Sequence, residues 1–387
     1  MDNDSHGAVF WHPGLSPVDR AYFRPLARFV PVDFRDLRAM ALRLSYCPYR
    51  LEFKHPFGTA HGVRTGTDSI FIKLEGDGVI GYGEVTLPPY LKEKPAEVIQ
   101  HLERIGASGP ITPESLQAQL DDPTWFGLDA PGCRAGLQMA LSDWIARNKQ
   151  ITLNELLDTR NLKQSLTIVT LGITPEAELA AKLAELPDSD ALKLKVKDES
   201  AVGIIQIIRN IDKRLIFLDA NQGLHSVETA LSLAQAAGDR LLGFEQPFPA
   251  AEKAMQDELQ EQLQVAVYGD ESIQNLIELE NSVGRFKGVN IKLMKCGGLD
   301  LAKVMAERAV ELGLKVMLGS MSESSLGCTA MAHLSGYADI LDLDGPILIK
   351  NDPFEGMAMK HGKLVMPDQP GIGAVLKAEL QFTPVCT

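Results

Sequence analysis

From residue 165 onward, apolar residues fall in short unbroken runs, and between those runs they recur at helical spacing. An unbroken run suits a strand buried on both faces, and a period of three to four residues suits a helix packed on a sheet. Eight runs qualify as strands: Leu166–Leu171, Ala191–Val196, Leu215–Asp219, Leu241–Glu245, Val265–Asp270, Val289–Leu293, Lys315–Gly319 and Asp339–Leu343. Their spacing, roughly 25 residues, is close to the repeat of a parallel barrel, with an open doubly wound sheet as the competing arrangement. The second to the sixth run each carry a lysine or an acid as their last or next-to-last residue, as expected of a barrel that gathers its functional groups at the carboxyl ends of its strands. A dinucleotide-binding sheet needs a glycine fingerprint after its first strand, and no GxGxxG follows Leu171.

The earlier part reads differently. Residues 42–53, 68–76 and 79–85 are β-rich, the last two joined by the turn Gly76-Asp77-Gly78, which predicts an antiparallel meander. Helical patterns follow over 95–105 and 131–148, and Thr112-Pro113-Glu114 supplies the N-cap, first position and acidic first turn of another helix. Residues 41–150 therefore form an α+β unit and 151–345 a barrel. Residues 346–387, with short β runs and turns around GKLVMPDQPGIG, return to complete the first unit. Residues 1–40 show no sustained period and no basic-then-apolar leader, so they read as an irregular extension, with the core starting near Met40.

Composition narrows the function. A net charge of −13 argues against a nucleic-acid partner, because phosphate binding needs clustered Lys and Arg. No apolar stretch reaches the roughly 18 residues of a membrane span, so no membrane role is expected. The five cysteines are scattered without CxxC spacing, which excludes a disulfide framework or zinc site and fits the cytoplasm. Assembly into a homo-oligomer is left open.

The chemistry lies at the strand ends. Asp219, Glu245 and Asp270 offer hard oxygen ligands from three adjacent strands, which suits octahedral Mg²⁺ with positions left for substrate. Lys195 and Lys292 end the second and sixth strands, so a closed barrel sets their ammonium groups on opposite sides of one cavity. Lys193 faces the same way as Lys195, and its charge is expected to favour the neutral, basic form of Lys195. A cation that binds a substrate carboxylate, beside two bases, can stabilise the enediolate left when a lysine removes an α-proton; reprotonation from the other side inverts the centre.

These residues fall in KxK at Lys193 and Lys195, DxN at Asp219 and Asn221, EQP at Glu245, DES at Asp270 and the Lys292 of NIKLMKCGG. In those motifs residues 41–387 resemble the enolase superfamily, in its muconate-lactonizing subgroup. The resemblance implies a modified TIM barrel, (β/α)7β, under an N-terminal capping domain. It also implies Lys195 and Lys292 as the acid/base pair and one Mg²⁺ on the three carboxylates. Asp342-x-Asp344 resembles the DxD with which dipeptide epimerases hold a substrate ammonium, and Ser320, Met321 and Glu323 in SMSES resemble the CMxES motif, with Ser for Cys. The implied substrate is a dipeptide whose C-terminal α-carbon sits between the lysines. Arg64, with His61, in the segment 56–67 would receive an acidic side chain, as in Ala-Glu, a peptidoglycan-derived dipeptide.

Three relatives of the same subgroup compete: muconate cycloisomerase, o-succinylbenzoate synthase and N-acylamino acid racemase. A non-catalytic dipeptide-binding protein is a fourth reading, opposed by the intact lysines. His225, His333 and His361 fall at no barrel strand end and read as surface or helix residues.

Overall fold

The computed structural model describes residues 40–60, 62–89, 91–126 and 129–386. The proposed extension over residues 1–39 and the candidate His61 lie outside them.

Three long strands, β1 (Arg43–Thr59), β2 (Gly62–Gly76) and β3 (Val79–Leu87), form the predicted antiparallel meander. Asp77 and Gly78 turn β2 into β3 with φ of 53° and 72°, the left-handed pair that matches strand twist in a two-residue hairpin. The two-residue strand Thr383–Pro384 pairs with Tyr46 and Ser45 on the open edge of β1, so the chain's end does return to the first sheet. Helix Pro131–Asn148 is buried from Gly132 to Ala146 because it lies between this sheet and the barrel. It approaches β3 closely at Gly83, where a Cβ would overlap the carbonyl oxygen of Gly136. That contact fixes the neighbouring Glu84.

Eight parallel strands close the barrel: β4 (Leu166–Leu171), β5 (Ala191–Lys195), β6 (Leu215–Asp219), β7 (Leu241–Glu245), β8 (Ala266–Gly269), β9 (Gly288–Lys292), β10 (Lys315–Gly319) and β11 (Ile340–Asp342). A helix follows each of the first seven strands, and only the single turn Gly345–Leu348 follows the last, which is the (β/α)7β arrangement. Three strands are shorter than the apolar pattern suggests, β5 by its last residue only. β8 stops at Gly269, leaving Asp270 just past its end, and β11 stops at Asp342, so that Asp344 heads the turn Gly345–Leu348.

Side-chain alternation explains what lies inside. Ile168, Ala191, Phe217, Tyr268, Met317 and Ile340 form one buried apolar layer. Two residues further along the same strands, on the same inward face, stand Thr170, Lys193, Asp219, Asp270, Gly319 and Asp342. The apolar layer thus plugs the barrel directly beneath a charged one.

The described residues of the segment 56–67 continue the β1–β2 hairpin past a register break between Glu52 and Phe57. In it Phe57 pairs with Arg64, and the Gly58 carbonyl accepts the Ile173 N–H at 3.1 Å, which ties the hairpin across the barrel mouth.

Candidate active site

Strand register assembles the site. Lys195 pairs with Asp219 and Asp219 with Glu245, while Gly319 pairs with both Lys292 and Asp342. In the closed order β5 and β9 lie four strands apart, so Lys195 and Lys292 face each other across the barrel. Both line one cavity of about 50 Å³, together with Lys193, Asn221, Thr170, Ser320, Met321, Asp342, Asp344 and, from the hairpin, Phe57, Thr59 and Arg64.

Each ammonium is held by acids. The Lys195 Nζ donates to Asp219 Oδ2 at 2.5 Å and to Asn221 Oδ1 at 2.9 Å. The Lys292 Nζ donates to Asp270 Oδ2 at 2.7 Å. Lys193, with 2% of its surface exposed, lies 2.6 Å from Asp342, 2.7 Å from Glu245 and 3.0 Å from Asp219. Burial alone would lower its pKa, but those three carboxylates together hold it well above the ordinary lysine range. Its charge is thus compensated from three sides. Asp342, expected to hold a substrate ammonium, has its Oδ2 against Lys193 at 2.6 Å. Asp344 Oδ2 accepts the Thr170 N–H at 2.6 Å, and burial followed by the charge of Asp342 raises its carboxyl to about 6.

Asp219, Glu245 and Asp270 share a level but are separated by the ammonium groups they hold, and among the described residues no group of three His, Cys, Asp or Glu is drawn together as a metal cluster. Burial opposes ionisation of all three. Lys193 and Lys195 overcome it at Asp219, lowering its pKa to about 2, and Lys292 and Lys295 overcome it at Asp270, which lies well below the usual range. At Glu245 burial prevails, reinforced by Asp219, and the pKa rises to about 7. The Oε1 of Glu245 accepts from Asn290 at 2.9 Å, and its Oε2 is ion-paired with Lys193 at 2.7 Å. Next to Asp270, Glu271 is pushed to about 8 by burial and by Asp270, and its Oε2 lacks a hydrogen bond. An all-oxygen donor set, buried, with carboxyls in excess of ammonium groups, fits a hard divalent cation.

Four functional contributors escape the sequence patterns. Lys295 donates to both Asp270 Oδ1 and the Asp270 carbonyl, the latter at 2.7 Å, and so fixes that carboxylate from below. Gln246 Oε1 receives the N–H groups of Asp270 and Ser272, both at 3.0 Å, joining β7 to the loop after β8. Asn290 orients Glu245. Glu84 reaches the site from the capping sheet. The first three lie within or beside the matched motifs, where their polarity at buried positions was the available signal. Glu84 offered none, since nothing local in GYGEV points to the barrel.

Other candidates are placed as follows. Arg64 lines the mouth, donates to Thr67 at 3.0 Å and stacks 5.5 Å from the Phe53 ring centre. Ser320 and Met321 line the mouth, but Glu323 lies behind them, buried, and does not. His333 is buried against the Ile372 carbonyl, His225 is exposed, and His361 lies by the opposite end of the barrel.

Comparison with known proteins matches residues 46–158 to the mandelate racemase / muconate lactonizing enzyme N-terminal domain and residues 176–380 to the enolase C-terminal domain-like family. An L-Ala-D/L-Glu epimerase of Bacteroides thetaiotaomicron is 31% identical over 86% of this chain and 88% of its own. An L-Ala-D/L-amino acid epimerase of Maribacter sp. is 32% identical over 87% and 99%. The dipeptide epimerase of Cytophaga hutchinsonii, solved with Mg and the dipeptide D-Ala-L-Val, superposes with a TM-score of 0.80 over 89% of this chain and 99% of that one, at 22% identity.

Proposed function

Because the chain belongs to the mandelate racemase and muconate lactonizing enzyme family of the enolase superfamily, we propose that it is a Mg²⁺-dependent dipeptide epimerase, inverting the α-carbon of the C-terminal residue. The reading rests chiefly on two lysines from opposite strands that line one cavity with Asp342 and Asp344. Asp219, Glu245 and Asp270 would hold the cation, which when bound offsets the negative charge gained by a substrate carboxylate as its α-proton leaves. One lysine, as the amine, takes the α-proton onto Nζ. The other, as the ammonium, delivers its proton to the opposite face, and the centre inverts. The carboxylates beside each Nζ aim it inward, and Asp344, with Asp342, would receive the substrate's own ammonium. The plug beneath and the hairpin above keep bulk water from competing for the proton.

For the side chains we favour L-Ala-D/L-Glu or a related dipeptide. Arg64 lines the mouth and offers a cation to an acidic C-terminal side chain. A second cavity of about 110 Å³ shares Phe57, Thr170 and Leu348 with the mouth and is lined by Phe53, Leu171, Ile173 and Leu186, apolar room for the N-terminal side chain.

The Lys193–Asp342 contact favours one alternative, a member of the family whose substrate lacks an ammonium, such as muconate cycloisomerase, o-succinylbenzoate synthase or N-acylamino acid racemase. One experiment separates them. A dipeptide library incubated in heavy water with Mg²⁺ should gain deuterium at the C-terminal α-carbon. Lys195→Ala and Lys292→Ala should each lose at least about 10²-fold in turnover and exchange from one face only. If no dipeptide exchanges while an N-acylamino acid or a lactone turns over, the alternative holds.

A further inference from the structure

Glu84 belongs to the capping sheet, yet all but one of its side-chain hydrogen bonds reach the barrel. Its side chain is fully buried on β3. The Oε1 accepts the Thr86 hydroxyl at 2.7 Å and the Ser324 N–H at 2.9 Å; the Oε2 accepts the Ser324 hydroxyl at 2.5 Å and the Gly327 N–H at 3.0 Å. Ser324 and Gly327 open helix Ser325–Ala332, whose first N–H groups have no partners within the helix, so a carboxylate from another domain supplies the cap. The turn it builds, Ser320 to Ser324, carries the mouth residues Ser320 and Met321 and, behind them, Glu323.

Glu323 is treated very differently. It is 1% exposed, its Oε1 accepts only the Met321 N–H at 2.9 Å, and its Oε2 has no hydrogen bond. The Oε2 atoms of both glutamates converge on Gly327, where a Cβ would collide with Glu323 and lie 3.1 Å from Glu84. Two carboxylates this close and this buried do not both ionise. Burial raises both carboxyls, and the donors decide which one ionises: four oppose that rise at Glu84 and one at Glu323, leaving there a buried oxygen that an anion would find costly. Burial, then the charge of Glu84, raises Glu323 to about 8, and Lys292 of β9 is the cation that opposes this. The Cys328 thiol, held well above its ordinary range, adds no charge from the helix itself.

We propose that Glu84 is a positioning residue of the active site: an ionised carboxylate of the capping domain that builds the turn after β10 and so keeps Glu323 as the neutral acid behind the mouth. The proposal takes the barrel mouth to be the reaction site proposed above. Its test does not depend on that. With glutamate side chains labelled by ¹³C, the Glu323 carboxyl is assigned through Glu323→Gln and titrated in the wild type and in Glu84→Gln, which keeps the shape and removes the charge. The Glu323 titration should fall by at least one pH unit in Glu84→Gln, and the corresponding limb of the pH profile of turnover should move in the same direction, with kcat lowered about tenfold and KM little changed. A Glu323 carboxyl that titrates at the same pH in both proteins overturns the proposal. Should Glu84→Gln not fold, Ser324→Ala takes one donor from Glu84 and none from Glu323, shifts the proton toward Glu84, and should lower the Glu323 titration too; no shift there also overturns it. Absence of any epimerase turnover in the wild type counts against the proposed function alone, because the carboxyl titration remains readable.

Discussion

At the scale of single residues, Lys193 is the pivot of the charged layer. It touches acids from β6, β7 and β11, so one ammonium settles three buried carboxylates at once. Replacing it with Met keeps the volume and strands the acids. Lys193→Met should cost about 3–5 kcal/mol, the penalty of leaving buried charge uncompensated, seen as a lower urea midpoint with an unchanged slope. A loss under about 1 kcal/mol would show that the acids are satisfied without it. The lysines and acids at strand ends were legible in the sequence because each closes an apolar run. Their partners were not. Period-two alternation says which way Lys193 faces, but only closure of the ring, with β11 beside β4, brings Asp342 to it. The same holds for Lys295, which lies in the turn after β9 and looks solvent-bound until that turn folds back beneath Asp270.

At the scale of elements, the barrel strands followed directly from the apolar runs, and the departures fall where polar contacts end a strand early. Asp270 leaves β8 to meet Lys292 and Lys295, and Asp344 leaves β11 to accept from Thr170. The hairpin extension past Glu52 left no apolar alternation to read, and its pairing depends on the loop after β4 for support. Helix Ser325–Ala332 illustrates how elements are tied together: Glu84 caps its start, and at its end His333 bonds Asn154 at 3.2 Å and the Ile372 carbonyl at 3.0 Å. Burial lowers the His333 pKa from 6.5 to about 4. The folded state therefore binds fewer protons than the unfolded state between these values, so stability is complete above pH 6.5 and declines as pH falls through that window. The loss by pH 4 should approach about 3 kcal/mol. His333→Gln should flatten this part of a pH series of urea midpoints; an unchanged slope would exclude His333 as its source.

On the scale of the whole molecule, the capping domain and barrel share buried charge. Arg134 of helix Pro131–Asn148 forms a doubly bonded ion pair with Asp300 at 2.8 and 3.0 Å, and also donates to the Gly297 carbonyl at 2.6 Å, just beyond the turn that holds Lys295. The two domains thus meet behind the reacting face. A cation seated among Asp219, Glu245 and Asp270 would bind the folded chain only. Mg²⁺ at a hundred times its dissociation constant should therefore add about 2.7 kcal/mol, read as a raised melting temperature that EDTA reverses. Asp219→Asn should abolish that increment; a Mg²⁺ effect that survives it would place the ion elsewhere.

The apolar layer of Ile168, Ala191, Phe217, Tyr268, Met317 and Ile340 makes the barrel a blind well. Whatever descends to the lysines must leave by the way it came, past Phe57 and Arg64, so under the proposed reaction a dipeptide and its epimer would share one doorway.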